Sequence, residues 1–265
     1  MSSLEHSLYF EALLQFFYRR TGIFFNEKRG IVAQRVEDFF RNEGLGNPAD
    51  YVRLLESDET LYQRLINLLT VNETYFFREA RALEIFAAAA LEKGSRIRVL
   101  CVPCSSGEEA YTLSMLLLGG GMDASRFEIV GIDINSEVIK EAKAGIYGLR
   151  SLYRTPDEVK ERYFESVQEG FVRVKPPVTA PVRFERCNLF ESCFRALGEF
   201  DYVFCRNLLI YFDAESRLKA EKALYERMKP GALLFTGHAD LIKNETGLVR
   251  HFDHGTLYYE RPSGR

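Results

Sequence analysis

The 265 residues suffice for one large domain or two modest ones, since domains commonly run to about 100–200 residues. A hydrophobic share of 46% provides for a packed core, and 28% charged residues is ordinary for a globular chain. A net charge of −3 withholds the clustered cations that give nucleic-acid binders most of their affinity, and no apolar run nears the roughly 20 residues of a membrane helix.

The first residues carry acids where a secretory signal would carry lysines, so a cytoplasmic protein is expected. The cysteines are Cys101, Cys104, Cys187, Cys193 and Cys205. An odd number without an export signal argues against a disulfide framework. Cys101 and Cys104 have redox or zinc spacing, but no second pair completes a metal site. A buried strand cysteine followed by a small loop residue is the plainer expectation, and no metal is assigned.

In chain order, the first seventy or so residues predict helices. Tyr9, Leu13, Phe16 and Phe17 recur at helical spacing, as do Val32, Val36, Phe39 and Phe40, then Leu61, Leu65, Leu68 and Leu69. Gly44 to Pro48 is a break, with Pro48 suited to open the next helix. From residue 96 the pattern becomes alternating strands and helices: strands at 96–102, 127–132, 200–205 and 232–236, helices at 108–118, 136–144 and about 214–228. Lys229, Pro230 and Gly231 are read as the stop of that last helix, and 248–253 with 256–261 as a hairpin turning at His254 and Gly255. The alternation implies an α/β fold with a mostly parallel sheet. Between 145 and 181 it breaks. A helix near 156–163 is followed by 171–175 and 182–186, whose apolar–charged alternation predicts half-buried antiparallel strands. The expected division is a helical domain at 1–75 and a sheet domain at 76–265, with an antiparallel insertion at about 163–187.

Ligands of open α/β sheets bind beyond the carboxyl ends of the strands. The loop after the first strand runs Pro103, Cys104, Ser105, Ser106, Gly107, Glu108, Glu109. One glycine and two carboxylates suit a cationic ligand better than a phosphate, unless the acids only complement the helix dipole. Asp133 ends the second strand, where such folds place an acid for ribose hydroxyls; it could instead cap the next helix, for which Asn135 is the better candidate. Asn188, then Arg206 and Asn207 with Tyr211 one turn on, are polar at strand ends where a core is expected. Each could also serve only loop backbone. The segment from Thr70 to Arg78, TVNETYFFR, mixes amide, hydroxyl, aromatic and cation at the domain junction, a favoured place for binding clefts. An aromatic hinge would account for some of Tyr75, Phe76 and Phe77.

The ordered set NETYFFR, CSSGEEAY, GIDINSEVIKEAKAGIYG, CRNLLIYFD and KPGALLFTGH resembles the CheR family of chemotaxis receptor glutamate methyltransferases across nearly the whole chain. The resemblance implies a Rossmann-like S-adenosylmethionine methyltransferase domain behind an N-terminal helical bundle, with S-adenosylhomocysteine as product. By matching position it puts Asn72, Thr74, Arg78, Glu109, Asp133, Asn188, Leu189, Arg206 and Asn207 at the cofactor, and Arg78 and Tyr211 at the reacting centre. The implied partner is the cytoplasmic domain of a methyl-accepting receptor in membrane arrays, docked by the N-terminal helices and the β insertion, with the enzyme a monomer. Arg19, Arg20, Lys28, Arg29, Arg35 and Arg41 are the basic residues offered for that docking, although interleaved acids also suit a solvated face. The chain departs from the family in lacking tryptophan, in Ala110 for a usual proline, and in Ala239-Asp240 for a usual Ser-Glu.

Two rival readings have their own sequence marks. A non-catalytic module sensing S-adenosylmethionine or another nucleotide would be marked by loss of Arg78 or Tyr211, and both are present. An exocyclic-amine methyltransferase of nucleic acid would carry an Asn/Asp-Pro-Pro-aromatic motif where this chain has Arg206, Asn207, Leu208 and Leu209.

Overall fold

The computed structural model describes residues 7–25, 29–243, 245–253 and 255–264. Lys28 and His254 lie outside them.

Helix α1 (Leu8–Thr21) starts where the Ser7 side chain accepts the Phe10 amide and ends where Gly22, at φ 74°, returns its own amide to Tyr18. Its buried stripe is Phe10, Leu13, Leu14, Phe16 and Phe17, whereas Tyr9 is solvent-facing. Leu13, Phe16 and Phe17 are buried as expected, and Phe10 takes the place expected of Tyr9, since both positions carry aromatics and spacing alone cannot choose between them. Helix α2 (Arg29–Asn42) buries Val32, Ala33, Val36 and Phe40, the last stacked on Tyr51 at 3.6 Å. Pro48 opens a 3₁₀ turn (Pro48–Asp50) that runs into α3 (Tyr51–Ser57). Asp58 caps α4 (Glu59–Leu69), which buries Leu61, Tyr62, Leu65, Ile66 and Leu69 and leaves Leu68 at the surface.

Helix α5 (Ala80–Glu92) lies outside the predicted elements; Phe86 and Leu83 anchor it on the sheet. There follow β1 (Ile97–Cys101), α6 (Glu108–Gly119), β2 (Phe127–Asp133), α7 (Ser136–Ala144), β3 (Ile146–Gly148), α8 (Asp157–Tyr163), β4 (Phe164–Gln168), β5 (Phe171–Val174), α9 (Pro176–Thr179), β6 (Val182–Arg186), α10 (Ser192–Ala196), β7 (Phe200–Cys205), α11 (Ala214–Glu226), β8 (Met228–Thr236), β9 (Val249–Asp253) and β10 (Thr256–Glu260).

The main sheet has seven strands in the order β6-β2-β1-β7-β8-β10-β9. Neighbours from β6 to β8 are parallel, and β10 and β9 close the edge antiparallel. Successive residues of a strand face opposite layers. Leu100 and Val102 accordingly pack with the N-terminal helices and α11, while Val99 and Cys101 pack with α5 and α6. Each large apolar side chain buried this way contributes about 1.5–3 kcal/mol.

Three expectations are corrected. Residues 182–186 are not antiparallel: β6 pairs parallel with β2 at the sheet edge. The insertion is built instead by β3, β5 and β4, so it occupies 146–174 and not 163–187. An edge strand is exposed on one side whatever its direction, so its alternation reports burial and not polarity. Lys229 to Gly231 does not separate helix from strand, because β8 begins at Met228 and carries those residues where its register with β7 shifts. Lastly, Cys187 and Cys193 form a disulfide, Cα–Cα 6.0 Å apart, while Cys101, Cys104 and Cys205 are buried free thiols. Composition addressed the compartment; the turn from β6 into α10 decided proximity.

Candidate active site

Strand order reverses at β1, with β2 on one side and β7 on the other. Beyond their carboxyl ends, and roofed by the N-terminal domain, lies a cavity of about 680 Å³. Its wall includes Asn72, Thr74, Arg78, Glu109, Asp133, Arg206, Asn207 and Tyr211. Asn188 and Leu189 are not in it. Asn188 turns its amide to the Arg20 carbonyl at 2.6 Å and accepts the Phe190 amide at 3.0 Å, tying α1 to the segment after β6.

The loop after β1 turns through Gly107 at φ 95°, where an added Cβ would meet the Phe184 ring at 2.9 Å and Ala142 at 3.0 Å. Glycine alone fits both the angle and the approach. Glu108 points away from the cavity onto the Ser106 hydroxyl at 2.8 Å, so one acid of the expected pair, Glu109, faces inward.

Asp133 is 5% exposed at the end of β2. One oxygen accepts the Ser105 amide at 3.0 Å and the other the Asn135 amide at 2.9 Å. Burial pushes its carboxyl up to about 6, against the lowering effect of those amides. It does not cap α7: Asn135 does, accepting the Glu137 and Val138 amides at 2.9 and 3.2 Å.

Arg206 is buried between two acids, 2.7 Å from Glu109 and 3.1 Å from Glu79, and donates to the Arg78 carbonyl at 2.8 Å. Burial works to lower its pKa, but Glu109 and then Glu79 outweigh it and keep it charged. The carboxylates of this wall are thus partly neutralised from within. Arg78 by contrast donates to the Glu73 carbonyl at 2.8 Å and has no carboxylate partner among the described residues.

Phe76 is the hinge aromatic, fully buried edge-on against Tyr147 and Phe164 at 4.9 and 5.1 Å. Among the described residues, the non-glycine positions with positive φ are Phe77, Glu79, Ser105 and Asn207. All lie in loops of this site, each of a kind costing about 1–3 kcal/mol unless its surroundings enforce it.

Two supports were not foreseen. Asn67, on α4, holds the start of α7 by accepting the Ser136 amide and donating to its hydroxyl, both at 2.9 Å, and so locks the helical domain to the cavity wall. Asp240 is 1% exposed and accepts the amides of Asn207 and, at 3.2 Å, Ile210. It fixes the loop that carries both Asn207 and Tyr211. Its presence among the departures from the family pattern was the one signal available. Asp240→Asn would set an amide NH2 against one of those N–H groups. Losing a charged hydrogen bond of about 1.5–3 kcal/mol is expected to lower the unfolding midpoint by roughly 3–10 °C. Calorimetry of the variant checks this; an unchanged midpoint would contradict it.

Residues 9–70 match the all-alpha domain of the CheR methyltransferases, and residues 72–256 match their SAM binding domain. The chain belongs to the CheR methyltransferase family. It is an S-adenosylmethionine-dependent methyltransferase. It is 36% identical to the chemotaxis protein methyltransferase of Campylobacter jejuni, over 91% of this chain and 91% of that protein. It is 36% identical to chemotaxis protein methyltransferase 2 of Vibrio cholerae over 94% and 92%, and 34% identical to the Escherichia coli chemotaxis protein methyltransferase over 92% and 87%.

This CheR cavity fits the cofactor. A buried carboxylate at the end of β2 suits vicinal ribose hydroxyls, Ile134 and Leu69 offer apolar wall, and Asn72, Thr74 and Glu109 offer polar groups.

Proposed function

We propose that this chain transfers the methyl group of S-adenosylmethionine to glutamate side chains in the cytoplasmic domain of a chemoreceptor, forming methyl esters. The observation that carries this is Arg78: a guanidinium on the cavity wall whose charge is met by no acid among the described residues. An incoming carboxylate would supply the missing partner. The names of the relatives point the same way.

Bound S-adenosylmethionine supplies an electrophilic methyl on a sulfonium. A glutamate with pKa near 4.3 is already ionised at neutral pH, so no general base is needed. The chain's work is alignment and exclusion of water. Asp133 holds the ribose, Glu109 and Arg206 shape the cofactor wall, and Asn72, Thr74 and Asn207 contribute polar contacts. In this reading Asn188 and Leu189 act through their backbone and the α1 tether. Arg78 orients the acceptor carboxylate. The Tyr211 hydroxyl has no protein hydrogen bond among the described residues and is available to position reacting groups.

The receptor docks across the N-terminal helices and the insertion. Of the basic residues offered by the sequence, Arg20, Arg29 and Arg41 are committed to Glu59, Glu11 and Asp38, whereas Arg35 lines the cavity. Arg19, which has no acid partner among the described residues, and Arg35 therefore carry the steering charge. No described helix is long and apolar enough to cross a membrane; the enzyme works in the cytoplasm, recruited to the arrays by its substrate.

The test is tritiated methyl transfer to receptor-containing membranes, with RNA and DNA as comparison acceptors. Base-labile label on receptor glutamates is expected; base-stable label, or label in nucleic acid, would overturn the reading. Tyr211→Phe is expected to lower turnover roughly tenfold, the effect of one positioning hydrogen bond, while cofactor affinity holds within about twofold. Equal loss in affinity would reassign Tyr211 to cofactor binding.

A further inference from the structure

Four side chains form a continuous ladder that starts in the cavity wall and leaves it, and of these the roles above use only Arg78. The Tyr75 and Tyr153 rings lie 4.8 Å apart. Each carries an arginine on its face: Arg78 is 5.6 Å from the Tyr75 centroid and Arg154 is 5.3 Å from that of Tyr153. Tyr75 and Arg78 line the cavity, whereas Tyr153 is 58% exposed and Arg154 stands at the surface, so the ladder leads from the reacting centre outward.

The two halves come from different parts of the chain, the domain junction and the start of the insertion, and are held in register. The Phe76 amide donates to the Ser151 carbonyl at 3.0 Å, and Leu152, just before Tyr153, is buried. The Tyr147 hydroxyl donates to the Ser106 carbonyl at 2.6 Å, fastening the insertion to the cofactor loop as well. A guanidinium stacked on an aromatic face is restrained yet keeps its N–H edge free for an anion.

Charge decides what such a surface takes. Elsewhere Arg20, Arg53, Arg64 and Arg81 are paired with acids of the chain. Arg78, Arg150 and Arg154 have no such partner among the described residues. Of the acids close in sequence, Asp157 is taken by Lys160 and Glu79 by Arg206. Glu73, on the cavity rim, and Glu158 have no cation partner among the described residues and oppose the patch.

We infer that the Arg78–Tyr75–Tyr153–Arg154 ladder is a specificity surface that binds carboxylates flanking the target glutamate, so that glutamates in acidic segments are selected. The inference rests on the proposed acceptor and deepens it: Arg78 takes the reacting carboxylate and Arg154 a neighbouring one on the same receptor segment.

Methylation kinetics of the full chain with a receptor cytoplasmic fragment test it. Arg154→Glu is expected to raise the receptor KM about fivefold or more at low salt, with the gap narrowing at high salt and cofactor affinity unchanged. Tyr153→Ala, which removes the stacking platform but no charge, should give a smaller rise, and Arg154→Lys should restore most of the affinity. If Arg154→Glu also loses cofactor affinity, it has disturbed the fold, and Arg154→Gln is read in its place. Wild-type KM in a variant that binds cofactor normally would overturn the ladder's role while leaving glutamate esterification standing. Absence of esters with the wild-type chain would overturn the acceptor reading and the ladder with it.

Discussion

Arg206→Ala is expected to destabilise the fold by about 3–5 kcal/mol, as removal of one partner from a buried ion pair typically does. The guanidinium is 5% exposed and serves Glu109 at 2.7 Å, Glu79 at 3.1 Å and the Arg78 carbonyl at 2.8 Å. Deleting it leaves Glu109 without a cation among the described residues and Glu79 with only the His238 ring, 3.3 Å away. Burial already raises the Glu109 pKa against the opposing effect of Arg206, so without that arginine the proton moves onto the carboxylate more readily still. Glu79 also sits at φ 56°, a backbone state that its contact with Arg206 helps to hold. Urea unfolding of the variant measures the effect. Arg206→Lys should recover part of the stability, because one ammonium cannot reach all three partners in the geometry of the planar fork. A loss under about 1 kcal/mol would show the three contacts to be incidental.

Asp133→Ala carries the second large effect. Charged hydrogen bonds are worth about 1.5–3 kcal/mol each, and loss of two to the ribose should weaken cofactor binding roughly a hundredfold or more. The Ser105 and Asn135 amides, now at 3.0 and 2.9 Å from the carboxylate, lose their acceptor too. The wild type has a pH signature of its own. Its carboxyl, raised by burial to about 6, is charged above that value and neutral below it. Only the charged form accepts fully from hydroxyls. Cofactor affinity should therefore be flat above pH 7 and fall as pH drops through 6, by at most about tenfold per unit. Asp133→Asn should be weaker at neutral pH and lack this dependence. A wild-type affinity unchanged between pH 7 and 5 would remove Asp133 from the contact.

Much of this site was legible before any coordinates. Strand ends can be read from apolar runs, and in a parallel sheet they converge on one edge, so Asp133, Glu109, Arg206 and Asn207 could be placed together from sequence alone. What escaped depends on tertiary proximity. Asp240 meets Asn207 only because β8 lies beside β7, and Asn67 meets Ser136 only because α4 packs on α7. Glu79 belongs to no motif read from the sequence, yet it shares Arg206 with Glu109. Asn188 follows β6 close to where Asp133 ends the neighbouring β2, and by that analogy belongs to the cavity. Its side chain instead satisfies the Arg20 carbonyl, a partner 168 residues away. The direction of β6 was unreadable for a simpler reason: an edge strand alternates in burial whether its neighbour runs parallel or not.

Equilibrium titration of the purified chain with S-adenosylhomocysteine, followed by calorimetry, bears most directly on the cavity. One molecule should bind per chain, be displaced by S-adenosylmethionine, and bind far more weakly to Asp133→Ala. Absence of binding to the folded wild-type chain, or equal binding by that variant, would contradict the assignment of the strand-end cavity as the methyl donor's seat.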